Sequence, residues 1–175
     1  QGNSAGAYKR MTVWLQPMPG LQAVAVGNTT GSGFHDIVAV DQAHDRMKVL
    51  LGNGNNTFER KHDVIVGRGP VDVALGRFNT DVLLDAVTVN QLGNSISILT
   101  GQSAGAFART DLATGSHPSA AAVGDVNGDQ LDDIVVTNRD DNTVGLYLGN
   151  GDGSFQPVSV FAVESKPTDV VLVDL

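Results

Sequence analysis

Asp125 to Asp133 reads DVNGDQLDD. Asp125, Asn127, Asp129 and Asp133 place hard oxygen donors at positions 1, 3, 5 and 9 of this stretch, and the backbone carbonyl of Leu131 falls at position 7. Calcium takes about six to eight oxygen ligands at ~2.3–2.6 Å, mixing carboxylate, amide, carbonyl and water. Alternate residues of a tight loop can turn to one side, so the spacing suits one cation, and Gly128 relaxes the backbone within the turn. A polar turn without metal is the competing reading. Three carboxylates in so short a stretch repel one another unless a cation neutralises them, and polarity alone does not require that crowding. An EF-hand is excluded: Gln130 and Val136 stand where it needs Gly and a bidentate Glu, and the loop runs into IVVT, a strand.

The sequence around the loop occurs three times. Val24–Phe58, Val73–Phe107 and Ala121–Phe155 align without gaps, with Asp36, Asp85 and Asp133 in correspondence at spacings of 49 and 48. GNSAGAY at Gly2–Tyr8 matches GNGDGSF at Gly149–Phe155, and PTDVVLVD at Pro167–Asp174 matches PSAAAVGD at Pro118–Asp125. The chain is therefore read as three whole units, 21–69, 70–117 and 118–166, flanked by the end of one unit (1–20) and the start of another (167–175).

Each unit reads as four short strands. Val/Ile/Leu runs alternate with Gly/Asn/Asp clusters, and no segment shows a sustained helical period with caps. In the third unit the expected strands are Ser119–Val123, Asp133–Thr137, Thr143–Leu148 and Gln156–Val163, with turns at Arg139–Asn142 and Gly149–Gly153. The runs IVV, LYL and VVLV are apolar on both faces, as strands buried between layers are. Four antiparallel strands per repeat, stacked face to face, make the blade of a β-propeller; an open β-solenoid fits the hairpin turns less well. The expected fold is all-β, a partial β-propeller of four-stranded antiparallel blades.

DVNGDQLDDIVV preceded by PSAAAVG resembles the calcium loop of FG-GAP or VCBS repeats, the blades of integrin-α-like propellers. The resemblance covers essentially the whole chain. It implies a calcium ion in the loop between the first two strands of a blade, with Asp125, Asn127, Asp129, the Leu131 carbonyl and Asp133 as ligands, and with Asp132 pointing outward. It further implies a ring of mostly seven blades in secreted or surface proteins that serve adhesion or recognition.

The sibling loops differ. NTTGSGFHD in the first unit offers Asn28, Thr30, Ser32 and Asp36, one formal charge, so no calcium is expected there. RFNTDVLLD in the second places Arg77 at position 1, with Asn79, Asp81 and Asp85 after it. Either the Arg77 guanidinium replaces the cation by bridging Asp81 and Asp85, or it points into solvent. The chain therefore carries one strong calcium site, read as structural. Extracellular modules bind calcium at ~10⁻⁴–10⁻³ M, which points to an extracellular setting.

Composition narrows the function. A chain of 175 residues that is 41% hydrophobic can bury a core, while a net charge of −8 opposes nucleic-acid and anionic-membrane partners. No apolar run approaches the ~18 residues that span a bilayer, Cys is absent, and the N-terminus has no signal-peptide core, as in a mature product or a piece of a longer chain. His35, His44, His62 and His117 lack zinc spacing, Gly31–Gly33 is a turn, and Asp140–Asp141 is a solvated hairpin pair. Trp14 and Tyr147 could stack on sugars but are aligned with no repeated aromatic, and Asn28 and Asn55 begin N-glycosylation patterns.

The preferred function is a non-enzymatic, calcium-stabilised scaffold for recognition of protein or glycan. A lectin, or an accessory domain of an extracellular polysaccharide-degrading enzyme, are the alternatives. Three blades cannot close a ring, so the remaining blades come from more chain or from other copies in a homo-oligomer.

Overall fold

A computed structural model describes residues 20–173, apart from the side chains of residues 60 and 61. Residues 1–19 of the expected partial blade at 1–20, with Trp14, lie outside the described residues, as does Asp174. The strands run in threes of four: β1 (Leu21–Gly27), β2 (Asp36–Asp41), β3 (Arg46–Gly52) and β4 (Phe58–Ile65); β5 (Pro70–Gly76), β6 (Asp85–Asn90), β7 (Ser95–Gly101) and β8 (Phe107–Ala113); β9 (Pro118–Gly124), β10 (Asp133–Asn138), β11 (Thr143–Tyr147) and β12 (Ser159–Ala162). Each set forms one four-stranded antiparallel sheet in sequence order, a meander. These are propeller blades. Their first strands lie side by side, β1 against β5 and β5 against β9.

The apolar-on-both-faces runs are explained by the stacking. β6 is buried along its whole length because a blade covers each face, and β10 is buried too, with Ile134 and Val136 packed against the second blade. Val38, Val40, Met47 and Val49 of the first blade bury against Val73, Ala86 and Leu99 of the second. Val87, Val89, Ile96 and Ile98 of the second bury against Ile134, Val136 and Tyr147 of the third. Tyr147 is 3% exposed and so packs between blades, with no face open to stack on a sugar.

One latch recurs in each unit. The residue before the third strand, Asp45, Asn94 or Asn142, is left-handed, with φ of 54°, 48° and 55°. Short Asx side chains tolerate that conformation and leave an oxygen to bond locally. Here the oxygen accepts the N–H of the last residue of the same unit: Gly69 at 2.7 Å, His117 at 3.0 Å and Lys166 at 2.8 Å.

Two expectations change. β12 is shorter than Gln156–Val163, because Gln156 turns its N–H to Leu148 and Phe155 bridges Gly149 before the ladder with β11 begins. Residues 167–173, expected as a first strand, form no strand, since no second strand among the described residues offers them a ladder. They lie beside β9, where Ser119 donates its hydroxyl to the Pro167 carbonyl at 2.9 Å.

Candidate metal centre

Each first strand ends in glycine and enters a nine-residue loop that returns to the second strand. The last residue of the loop behaves identically in all three blades. Asp36, Asp85 and Asp133 are buried, and each accepts two backbone N–H groups. One comes from the second loop residue: Thr29 at 2.9 Å, Phe78 at 2.8 Å and Val126 at 3.0 Å. The other comes from the glycine sixteen residues on, Gly52 at 2.9 Å, Gly101 at 2.7 Å and Gly149 at 2.9 Å. This aspartate clamps the loop to the end of the third strand or the residues just past it, whether or not its loop has a metal-binding composition. Sequence reading assigned Asp133 to a cation alone and missed the clamp; the signal was its recurrence at Asp36, where the other carboxylates are absent.

In the third loop Asp125 gathers the backbone. Its Oδ1 accepts N–H from Gly128 at 2.7 Å, Asn127 at 3.2 Å and Asp129 at 3.3 Å, and its Oδ2 accepts from Gln130 at 2.8 Å. The Gln130 N–H first, helped by the others, holds the Asp125 carboxyl below the usual carboxylate range. The stability this linkage carries is present above the unfolded value of 3.8 and is lost as pH falls through the lower folded value. Asn127 and Asp129 each close a local turn, accepting N–H from Asp129 and Leu131 at 2.9 Å, and Asn127 Nδ2 donates to Asp129 Oδ2 at 2.9 Å.

The structure thus brings Asp125, Asn127 and Asp129 together on the exposed rim of one turn, with Asp133 buried beneath it. Among the described residues, no three acidic or histidine side chains converge into a ready metal cage. The donor chemistry nevertheless fits a hard divalent cation: three carboxylates, one amide and the Leu131 carbonyl are all oxygen, and among the described residues no Lys, Arg or His pairs with these carboxylates. Asp132 does not point outward. Its Oδ2 accepts the Arg77 N–H at 2.7 Å, tying the third blade to the second.

The sibling loops are not equal copies. The first shares the backbone of the third: Gly31 and Gly33 have φ of 71° and 86°, and Gly128 and Gln130 have 82° and 69°. No residue of the second loop has positive φ. Its Phe78 is instead 1% exposed and meets the Phe155 ring edge-on at 5.3 Å. The Arg77 guanidinium is exposed and pairs with neither Asp81 nor Asp85, so the bridging alternative fails. Burial pushes the Asp85 carboxyl up, and the N–H groups of Gly101 and Phe78 only partly offset this. Arg77→Ala should therefore shift the urea midpoint by an amount equivalent to at most about 0.5 kcal/mol, as at an unengaged surface site.

The other candidates are dispersed. His44 bonds Asp41, His62 meets the Ala104 carbonyl and His117 pairs with Asp140, three separate places. Asp141, expected to be merely solvated, accepts the Ser116 N–H at 2.7 Å. Asn55 is exposed, whereas Asn28 Oδ1 is buried.

A family model described as FG-GAP-like repeat matches residues 77–136 and 125–175. No curated protein matches the sequence. Among solved structures, a functionally unknown protein from Desulfotomaculum acetoxidans DSM 771 is similar at a TM-score of 0.64 and 15% identity, over 86% of this chain and 46% of that one. BBS1N, solved in complex with ARL6DN, is similar at a TM-score of 0.60 and 15% identity, over 87% of this chain and 48% of that one. The chain spans under half the length of either, and at such identity the likeness concerns the fold.

Proposed function

Since the chain belongs to the FG-GAP-like repeat family, we propose that it is a segment of a non-enzymatic, calcium-stabilised propeller scaffold that serves recognition outside the cell. The observation that carries the reading is the third loop. It crowds Asp125, Asp129 and Asp133 into nine residues with no cationic side chain to neutralise them among the described residues. Asp125, Asn127 and Asp129 would hold calcium by their side chains, Leu131 by its carbonyl, and Asp133 from below. The ion would supply positive charge that joins the turn to the start of β10. The Asp133 clamp to Gly149 would carry that stiffening on to β11.

A recognition role rather than catalysis is supported by the dispersal of the titratable side chains described above. A repeated sugar platform has no support, because Tyr147 is buried and its counterparts in the repeats are Leu50 and Leu99.

Thermal melting with calcium and with chelator tests the calcium reading. With a Kd near ~10⁻⁴ M, 1 mM calcium should stabilise by about 1.4 kcal/mol, or roughly 3–6 °C in Tm. Asp129→Ala should abolish the shift while leaving the chelated Tm nearly unchanged. A shift of zero in the parent chain, or one retained by the variant, overturns the reading.

A further inference from the structure

The two seams between blades are filled differently at corresponding positions. On β8, Arg109 and Asp111 lie opposite Leu99 and Ser97 of β7. On the third blade's outer strand Val160 lies opposite Gly145, the counterpart of Ser97, and Val158 stands two residues before it as Arg109 stands before Asp111. At the first seam Arg109 Nη1 donates to the Ile65 carbonyl at 3.2 Å, while Nε, at 2.7 Å, and Nη2 hold Asp111. At the second seam the carbonyl in the place of Ile65 is that of Ala113, and Tyr147 donates its hydroxyl to it at 2.7 Å. The tie between blades is thus kept by a different donor, and the arginine and its carboxylate are both gone.

What they filled is open. A cleft of about 500 Å³ lies there, floored by Tyr147 and Gly115 and walled by Val158 and Val160. These valines are 41% and 58% exposed. A carboxylate returns from another element: Asp141, in the turn between β10 and β11, lines the cleft where the second blade has Gly93. Asp141 Oδ2 accepts the Ser116 N–H, and among the described residues no Lys, Arg or His pairs with Asp141.

We propose that this cleft receives an arginine side chain from a partner protein, in the role that Arg109 fills from within at the neighbouring seam. The aliphatic stem lies along Val158 and Val160, and the guanidinium meets Asp141. The net charge of −8 favours approach of a basic partner. The proposal names the partner chemistry of the recognition reading above and rests on that reading, but it uses no calcium. Failure of peptide binding would leave the calcium-dependent melting shift standing, and loss of that shift would leave peptide binding standing.

The test is titration of the isotope-labelled chain with acetyl-Gly-Arg-Gly-amide at low salt, with calcium and with chelator, read by backbone amide shifts. The expected result is saturable shifts at residues 113–115, 143–147 and 158–160, with a Kd of about 1 mM or tighter. A norleucine peptide of the same length should bind about tenfold more weakly, and Asp141→Asn should weaken the arginine peptide by about tenfold. Val158→Arg with Val160→Asp, which installs the pair of the first seam, should abolish the response with Tm kept. No saturable shift, equal binding of the norleucine peptide, or undiminished binding by the Asp141→Asn chain overturns the proposal.

Discussion

Phe78→Ala is expected to lower stability by about 3–5 kcal/mol and Tm by roughly 12 °C. Phe78 is fully buried although it belongs to a loop, and it packs among Val87, Val89, Ile98 and Ile134 at the seam of the second and third blades. Truncation removes the ring's transfer energy and its edge-on contact with Phe155, and it leaves a cavity that two stiff sheets close poorly. Val126 holds the same loop position in the third blade and is 40% exposed. Val126→Ala should cost no more than about 0.5 kcal/mol. Urea unfolding of both variants checks the contrast; a small loss at Phe78, or equal losses at the two sites, would show that the seam is not packed as described.

Asp85→Ala should cost about 3 kcal/mol, or roughly 6–12 °C in Tm, because it orphans two buried N–H groups, those of Phe78 and Gly101. Asp85→Asn keeps one acceptor oxygen and turns an amide donor toward the other N–H, so it should recover only part of the loss. The pH dependence has a defined sign. Burial raises the folded pKa of Asp85 above 3.8, and the Asp81 charge adds to the rise. The linked stability is then fully present below the unfolded value and is lost as pH rises through the folded one. The Tm gap between parent and Asp85→Ala should narrow as pH rises above the unfolded value of 3.8. A gap that widens as pH rises would mean that the N–H groups, rather than burial, dominate this carboxylate.

These effects mark where sequence reading stopped. The repeat, the four strands per unit and the turns were legible because short apolar runs and the Gly/Asn/Asp clusters that punctuate them are local signals. The loop of the third blade was legible as a donor set for the same reason. The clamp role of Asp36, Asp85 and Asp133 was not, since each bond reaches a glycine sixteen residues away across the sheet. Arg77 was weighed as a substitute cation because alignment placed it at a ligand position. Its loop, however, has a backbone without left-handed residues, and Phe78 beside it is drawn into the seam. Asp132 was expected in solvent because a single loop gives no sign of the neighbouring blade whose Arg77 N–H it accepts.

By itself the sequence determined that this chain is a series of four-stranded antiparallel units, and that one loop crowds four aspartates into nine residues, three of them at ligand spacing. Spacing along a chain fixes which residues share a strand or a turn. The tertiary structure decided which of those residues are free to meet a ligand. Closing the third sheet bound Asp133 to two N–H groups of its own blade. Stacking the blades buried Tyr147 and Phe78 and left open beside Val158 and Val160 the place that Arg109 fills one seam earlier. Such outcomes depend on contacts between repeats some 48 residues apart, and the space left over at a seam is set by both blades together.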